Sequence, residues 1–468
     1  MLGAEFASIR STAVEQFMSC VTKDDSGTAF PDLLSLEEQA AEFAQQLERD
    51  IVQAFVEMRG RQIKSEKPLC PTCNEAMEWH ANTEWKRGTL PGTVAVKDSY
   101  AYCRSCGKSV RPLHRWLGTD RERWSLRVEK VVVDLASDES CQGAVEKLER
   151  LYPGTSMDRT VALRFLHKHG ARARDFIQTK LTSAIKEAER EGEAPVGAVE
   201  LEVEYDGGMV PVAKLVPIEL EEGQEPELTP VRKLPKRKKD AFWQEVKAGL
   251  VQAPGEVSRL YTVRPTAELD QAFDDLLALA CMKGWTEETD VRGLADGARY
   301  IRTRMADTFH ACNFRFILDR PHAREHLSEA GEDLAACTGV DAKKWADNAL
   351  AKLEVGQVDE VVAELRKAYA QFDIDRLRKN ADYFERNRDA VAYAEYRERG
   401  WSQASSEIES AHRHVVQVRL KIPGAWWHPD NIPNILALRM LKANGWWDDY
   451  WSNQRDNWMK RAEQFREA

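Results

Sequence analysis

The 468-residue sequence predicts an α+β multidomain protein. Three observations predict it. Two C-x-x-C knuckles, Cys70-Pro71-Thr72-Cys73 and Cys103-Arg104-Ser105-Cys106, bracket a strand-like segment. Long stretches on either side of them carry apolar residues at helical spacing. From Val199 onward the pattern turns to period-two strands, then to strand and helix in alternation.

At roughly 150 residues per domain, the length allows about three domains. Hydrophobic residues make up 43% of the chain, enough for real cores, and charged residues 31%, which suits long solvated helices. No apolar run reaches the ~18 residues needed to span a bilayer. Met1-Leu2-Gly3-Ala4-Glu5 lacks a basic region followed by an apolar stretch, so no signal peptide is expected. The expectation is a soluble, cytoplasmic protein without a membrane partner. A net charge of −10 argues against a simple DNA-coating protein, but phosphate contacts depend on local patches. Two basic clusters qualify: the run from Arg232 to Lys239, and Arg413, Arg419 and Lys421. The first follows an acidic stretch from Glu221 to Glu227, so the two runs can equally form a loop that neutralises itself.

Residues 35 to 62 carry Ala40, Phe43, Leu47, Ile51, Phe55 and Met58 at helical spacing. This predicts an amphipathic helix within an N-terminal helical region, 1–66. A zinc ribbon is expected over 67–112. Its two knuckles are 29 residues apart, and Thr93 to Tyr102 reads as a strand running into the second. Tetrahedral Zn²⁺ wants four thiolates, and a two-residue gap lets one tight turn present two sulfurs. Cys70, Cys73, Cys103 and Cys106 are therefore the expected ligands of one structural zinc. A disulfide pair is disfavoured without a secretion signal, and a thioredoxin-like motif does not need two copies. His80 and His114 lie nearby but are spare. Of the nine cysteines, the other five, Cys20, Cys141, Cys281, Cys312 and Cys337, are expected to be buried thiols.

Residues 113–192 read as an all-helical domain. Cys141 to Leu151, a turn from Tyr152 to Ser156, and Met157 to His169 give helix, turn and helix, with Ser156 as the expected N-cap. Such a unit can lay its second helix in the major groove of double-stranded DNA, although helical hairpins without DNA are common. Glu187 to Pro195 reads as a linker.

Beyond it, Val199 to Tyr205 alternates, and Met209 onward is expected to resume the strand past a kink or turn at Gly207-Gly208. Ala241–Lys247 and Val257–Val263 supply two more strands. A helix over 266 to 284, a short strand before Asp296, another helix and a strand over Asn313–Asp319 follow. Three strands, then strand and helix in alternation, is the order of a ribonuclease-H-like fold. Residues 323 to 398 read as helices with a break near Gly356. Trp426-Trp427 and the Trp446 to Trp451 cluster are expected to be packing anchors, stacking on flipped bases being the alternative.

Three acidic positions stand in distinctive settings: Asp206 in Glu204-Tyr205-Asp206-Gly207-Gly208-Met209-Val210-Pro211-Val212, Asp296 in Ala295-Asp296-Gly297-Ala298, and Glu409 in Ser406-Glu407-Ile408-Glu409. The chain has 77 acidic residues, and an Asp-Gly pair is most often a turn, so number alone carries nothing. If the three converge, their hard oxygens suit Mg²⁺, and two such ions can clamp the attacking and leaving oxygens of a phosphodiester.

In these motifs the chain resembles the bacterial insertion-sequence transposases of the ISKra group, relatives of the Mutator-like enzymes. The run from Asp206 resembles the family's first acidic motif, Ala295-Asp296-Gly297-Ala298 its second, and Ile317 to Leu327 its Asp-x-x-His block, here Asp319 and His322. Tyr383 to Arg388 and Val415 to Lys421 flank Glu409 as in the family's end motif. The resemblance covers residues ~67 to 455.

It implies a DDE-type transposase that cleaves DNA and transfers the strand of an insertion sequence after recognising terminal inverted repeats. Asp206, Asp296 and Glu409 would hold catalytic Mg²⁺ or Mn²⁺, with Asp319 and His322 as a supporting motif. A homodimer or higher oligomer on DNA, associated with a bacterial nucleoid, is implied. So is a ribonuclease-H-like domain in two parts, 193–325 and 399–468, around a helical insertion, 326–398. Two departures stand out. Ala404-Ser405-Ser406 stands where the family has Gly-Ser-Gly, and His and Arg of Ala411-His412-Arg413-His414 replace Cys and Lys. Glu407 is thus a competitor of Glu409. A zinc-ribbon DNA-binding protein that has lost catalysis is the alternative reading. Of the two, Glu409 is preferred: Ile408, Ala411, Val415 and Val418 sketch one apolar side of a helix opening near Ser406. Glu409 then shares another side with His412, Arg413 and Val416.

Overall fold

The computed structural model describes residues 11, 14, 15, 32–65, 67–117, 123–190, 197–219, 226–230 and 234–467. Cys20, most of the acidic run before Pro226, Arg232 and Lys233, and the linker residues 191–196 lie outside them. The chain divides into two compact units, 1–166 with 448–468, and 167–447. Both mix helices with sheet. Among the described residues no helix is long and apolar enough to cross a membrane.

In the first unit, α1 (Leu33–Lys64) opens on Asp32, whose carboxylate accepts from Ser35 N at 3.0 Å. A long hairpin follows, β1 (Glu78–Thr89) against β2 (Gly92–Tyr102), with β3 (Ser109–Val110) added to β2. α1 packs on β2 through Val56, Val96 and Leu113, with Trp85 and Trp116 around them. The Gln53 amide fixes the register of that packing. It donates to Ala95 O and accepts from Ala95 N, both at 2.9 Å, as a neighbouring strand would. Helices α2 (Pro112–Leu117), α3 (Leu126–Ala136) and α4 (Cys141–Leu151) come next, α3 and α4 capped by Ser125 and Ser140.

The second helix of the predicted helix-turn-helix begins later than the sequence suggested. α5 runs Arg159–Ala188, and Asp158, not Ser156, takes the capping role by accepting from Thr160 N at 2.8 Å. The intervening turn is instead tied down by Thr155, whose buried hydroxyl meets Thr89 O and Leu90 O.

The second unit is built on a five-stranded sheet in the order β6-β5-β4-β7-β8. These are β4 (Glu200–Pro217), β5 (Arg237–Gln252), β6 (Arg259–Pro265), β7 (Asp290–Ala295) and β8 (Asn313–Leu318). β4, β5 and β6 form an antiparallel meander, while β7 and β8 run parallel to β4. Gly207-Gly208 makes no kink: β4 pairs with β5 without a register shift from Glu202 opposite Gln252 to Pro217 opposite Arg237. The two glycines serve close approach instead. A Cβ on Gly207 would sit 2.5 Å from Glu245 Oε1, and one on Gly208 2.6 Å from His412 Nδ1.

One face of the sheet carries α6 (Leu269–Met282) and α7 (Arg299–Thr308); Tyr205 of β4 stacks on Phe273 of α6 at 4.8 Å. Beneath α6, buried Asp275 accepts from Arg264 at 2.6 and 2.9 Å and from Thr262 at 2.6 Å. The helical stretch after β8 comprises α8 (Arg320–Thr338), α9 (Ala342–Glu354), α10 (Val358–Phe372), α11 (Asp375–Arg386) and α12 (Tyr393–Glu398). Its apolar stripe, including Leu327, Leu350, Leu353, Val361, Leu365, Leu377 and Phe384, forms its own core.

The opposite face of the sheet receives α13 and α14 (Ile432–Ala443). α13 starts as Ser406–Ala411, continues as a π-turn over His412–Gln417 and ends with Val418–Leu420. α15 (Trp447–Glu467) completes the chain. Trp427, Trp446 and Trp451 are buried packing anchors, while Trp426 is exposed under the Lys239 ammonium at 4.1 Å.

Candidate active site and metal centre

The four ribbon cysteines converge, with ligand atoms all within 4.8 Å of one another. Sγ–Sγ distances are 3.4 Å for Cys70–Cys106 and Cys73–Cys103, and 3.7 Å for Cys73–Cys106. A tetrahedron with metal–sulfur bonds of about 2.3 Å has edges of about 3.8 Å. The cluster can therefore hold a metal ion such as zinc. Its two halves are built alike. Cys70 N donates to Glu75 O and Asn74 N to Cys70 O; Cys103 N donates to Lys108 O and Gly107 N to Cys103 O. Each turn needs a left-handed residue, supplied by Asn74 (φ 59°) and Gly107 (φ 73°). The Cys73 and Thr72 N–H groups pull the Cys70 thiol down to about 6, and the Cys106 N–H lowers that of Cys103. Both favour the thiolate that a metal needs, whereas the Cys73 and Cys106 thiols are raised, the Glu75 and Lys108 N–H groups being outweighed by the neighbouring sulfurs. His80 stacks on Tyr100, and His114 lies against Trp85 with its Nε2 3.5 Å from Asp98, so neither joins the cluster. The expected burial of the remaining cysteines is corrected. Cys141, Cys281 and Cys312 are half-buried and Cys337 is exposed, because each sits near a helix end or strand start rather than in a core.

The carboxylates are placed by the pleat of β4. Val203 and Tyr205 face α6, so Glu202, Glu204 and Asp206 face α13. Glu204 is fully buried, and its Oε2 accepts from Ile408 N at 2.7 Å, pinning the first turn of α13 to the strand. Burial pushes its carboxyl up to about 8. Two residues on, Asp206 is half-buried, and His412 Nε2 lies 3.8 Å from its Oδ2. Burial of the His412 ring holds its pKa below the usual histidine range.

Asp296 follows the neighbouring parallel strand. The last β4–β7 pair is Glu204 opposite Leu294, so Asp206 and Asp296 each lie two residues beyond it. Asp296 Oδ1 accepts from Ala298 N at 2.9 Å, and the buried Tyr383 hydroxyl donates to Asp296 O at 2.7 Å. Asp319 ends the next strand and is fully buried as the N-cap of α8. It accepts from His322 N at 3.1 Å, His322 Nδ1 at 2.5 Å and Ser405 N at 2.7 Å. Burial alone would raise this carboxyl; the His322 and Ser405 bonds outweigh it and hold it below the usual range. In return His322 is raised to about 9 by its bond to Asp319. His326 is a packed residue, stacked on Tyr383 at 3.9 Å and bonded to Asn380.

Glu409 is exposed on α13, three residues before His412, and so within about 60° of it around the helix. Glu407 is half-buried and paired with Arg259 at 3.0 Å. Among the described residues, Asp206, Asp296 and Glu409 are not gathered as tightly as the cysteines, whose group alone has all its donor atoms within 4.8 Å.

The π-turn corrects the reading of the helix beyond Glu409. One extra residue per turn shifts the phase. Ile408, Ala411 and Val415 are buried as expected, but Val418 is exposed and Val416 and His412 are buried. Arg419 is buried with its guanidinium 4.3 Å over Trp427, so it is no phosphate-facing residue; Arg413 and Lys421 remain exposed.

The sequence alone gives no role to three residues found here: Glu204, His412 and, through its hydroxyl, Tyr383. The alternation of Glu202, Glu204 and Asp206 with apolar residues was the signal for the first. No family model matches the chain, and no curated protein matches it.

Proposed function

We propose that this protein is a metal-dependent DNA strand-cleaving and strand-transferring enzyme of the DDE transposase type. In this reading the second unit is a ribonuclease-H-like domain, and α8 to α12 are its helical insertion. The observation that carries it is the sheet order with its acidic positions. An antiparallel meander whose first strand is central and bears Asp206 is followed by a parallel neighbour ending at Asp296, and a helix bearing Glu409 is pinned to that first strand. The motif order in the sequence agrees.

The donor set fits a hard divalent cation, since three carboxylates supply oxygens. The buried His412 Nε2 facing Asp206 has no hydrogen-bond partner, as a polar atom awaiting a further group would. Mg²⁺ or Mn²⁺ held by Asp206, Asp296 and Glu409 would supply the charge that activates water or a 3′-hydroxyl and stabilises the leaving oxygen. The chain's own part is positioning. Glu204 holds α13 against β4, Tyr383 holds the Asp296 backbone, and Asp319 ties the end of β8 to Ser405 before α13. Arg413 and Lys421, which are exposed, would meet DNA phosphates in this reading.

The replaced glycines do not disqualify the site. Ala404 and Ser406, which stand where the family has glycine, are not among the residues of positive φ, so neither position needs a glycine, and the N–H of Ser405 between them is bonded to Asp319. In the same reading the zinc ribbon and the helices of the first unit recognise the terminal repeats of double-stranded DNA. The protein works as a homodimer or higher oligomer at the nucleoid. The catalytically inactive DNA-binding alternative is favoured by one observation, the looser gathering of the three carboxylates. An Asp206→Asn variant in a plasmid transposition assay separates the two. Loss of excision and integration supports the enzyme; activity retained by the variant overturns it.

A further inference from the structure

The proposed carboxylate site has a neighbour to which the motifs give no role. His412 lies on the α13 face that meets β4, directly over Gly208, where a Cβ would come within 2.6 Å of its Nδ1. Its side chain is only 6% exposed, and its Nε2 is buried without a hydrogen-bond partner. That atom lies 3.8 Å from Asp206 Oδ2. The separation is too long for a hydrogen bond. It falls within the span of about 4.2 Å that one ion can bridge with bonds of about 2.1 Å to each donor.

A buried imidazole nitrogen left unpaired beside a carboxylate costs free energy unless something else satisfies it. The glycine beneath the ring and the π-turn that begins at His412 both serve to bring it there. π-turns within helices are frequent at functional sites.

We propose that His412 Nε2 is a direct ligand of the divalent cation held by Asp206, so that this site binds its ion through nitrogen as well as oxygen. This rests on the metal-site reading above. The consequence is a choice of ion. Mg²⁺ prefers an all-oxygen shell, whereas imidazole suits first-row transition ions. Mn²⁺ should therefore bind more tightly than Mg²⁺, and the preference should depend on His412.

The test uses the full chain, replete with zinc at its cysteine cluster, titrated with Mn²⁺ and followed by pulsed electron paramagnetic resonance. Wild-type protein should show bound Mn²⁺ with nitrogen modulation that changes on ¹⁵N-histidine labelling. His412→Gln should lose that modulation and bind Mn²⁺ about tenfold or more weakly, with a smaller change for Mg²⁺. His322→Gln should keep the modulation, since the His322 ring is engaged by Asp319. The wild-type spectrum needs no variant and so stands even if one fails to fold. Mn²⁺ binding that Asp206→Asn abolishes, without nitrogen modulation or with modulation that survives in His412→Gln, overturns the assignment of His412 and leaves the carboxylate site standing. Mn²⁺ binding indifferent to Asp206→Asn overturns the carboxylate site, and this inference with it.

Discussion

Replacing Asp319 with alanine should destabilise the second unit by about 3 to 5 kcal/mol, the usual result of breaking a buried charge pair. The carboxylate is fully buried and accepts three hydrogen bonds, from Ser405 N, His322 N and His322 Nδ1. Bonds to a charged group contribute about 1.5 to 3 kcal/mol each, and desolvating the carboxylate offsets part of their sum. Alanine also orphans the buried Ser405 N–H and removes the cap of α8, a loss of about 1 kcal/mol by itself. Asp319→Asn keeps one acceptor and should cost less. The pH dependence supplies a second arm. His322 is raised to about 9 from an ordinary 6.5. Its stabilisation is complete below pH 6.5 and is lost as pH rises through 9. Because the side chain is 31% exposed, solvent screening leaves about 1 to 2 kcal/mol of this. Urea denaturation between pH 6 and 10, followed by tryptophan fluorescence, should show a decline in wild type that is absent from Asp319→Asn. An Asp319→Ala protein within about 1 kcal/mol of wild type would refute the reasoning, since the smallest sum above exceeds that.

Three further outcomes are expected. Purified protein should contain about one zinc per chain, and Cys103→Ser should release it and raise hydrogen exchange in β2 and β3; a metal-free chain with a protected ribbon contradicts this. Asp275→Ala should cost about 1.5 to 3 kcal/mol, because it removes the hydrogen bonds to a buried carboxylate and leaves the Thr262 hydroxyl without its acceptor, while Arg264 keeps its ion pair with Glu268 and its bond to Gln178, which denaturation midpoints will show. Gly208→Ala should cost about 1 to 3 kcal/mol by overpacking, since the new methyl would displace the His412 ring; full stability would mean that α13 gives way easily.

What could be read in the sequence was local. Two residues between cysteines define a turn, so the cluster was legible before any fold was known. The alternation from Val199 to Tyr205 announced β4. What could not be read depends on distant partners. The Gly207-Gly208 pair reads as a break, yet it makes room for Glu245 and His412, which only the assembled sheet brings there. Glu204 and Arg419 are charged and read as solvated, but each is buried by a partner far along the chain or across a turn: Ile408 N and Trp427. The helix after Glu409 defeats a 3.6-residue pattern because the π-turn shifts its phase midway. Ser156 looked like a cap, but Thr155 beside it anchors the turn and the helix waits for Asp158.

The central claim is that Asp206, Asp296 and Glu409 form one metal-dependent cutting site. Two glutamates two residues apart on a helix point about 200° apart, and Glu407 is already paired with Arg259. The most direct measurement is nicking of supercoiled plasmid DNA by purified wild type, Glu409→Gln and Glu407→Gln, with and without Mg²⁺ or Mn²⁺. Wild type and Glu407→Gln should cut only with metal, and Glu409→Gln should not cut at all. Cutting by Glu409→Gln, or its loss in Glu407→Gln alone, would contradict the account.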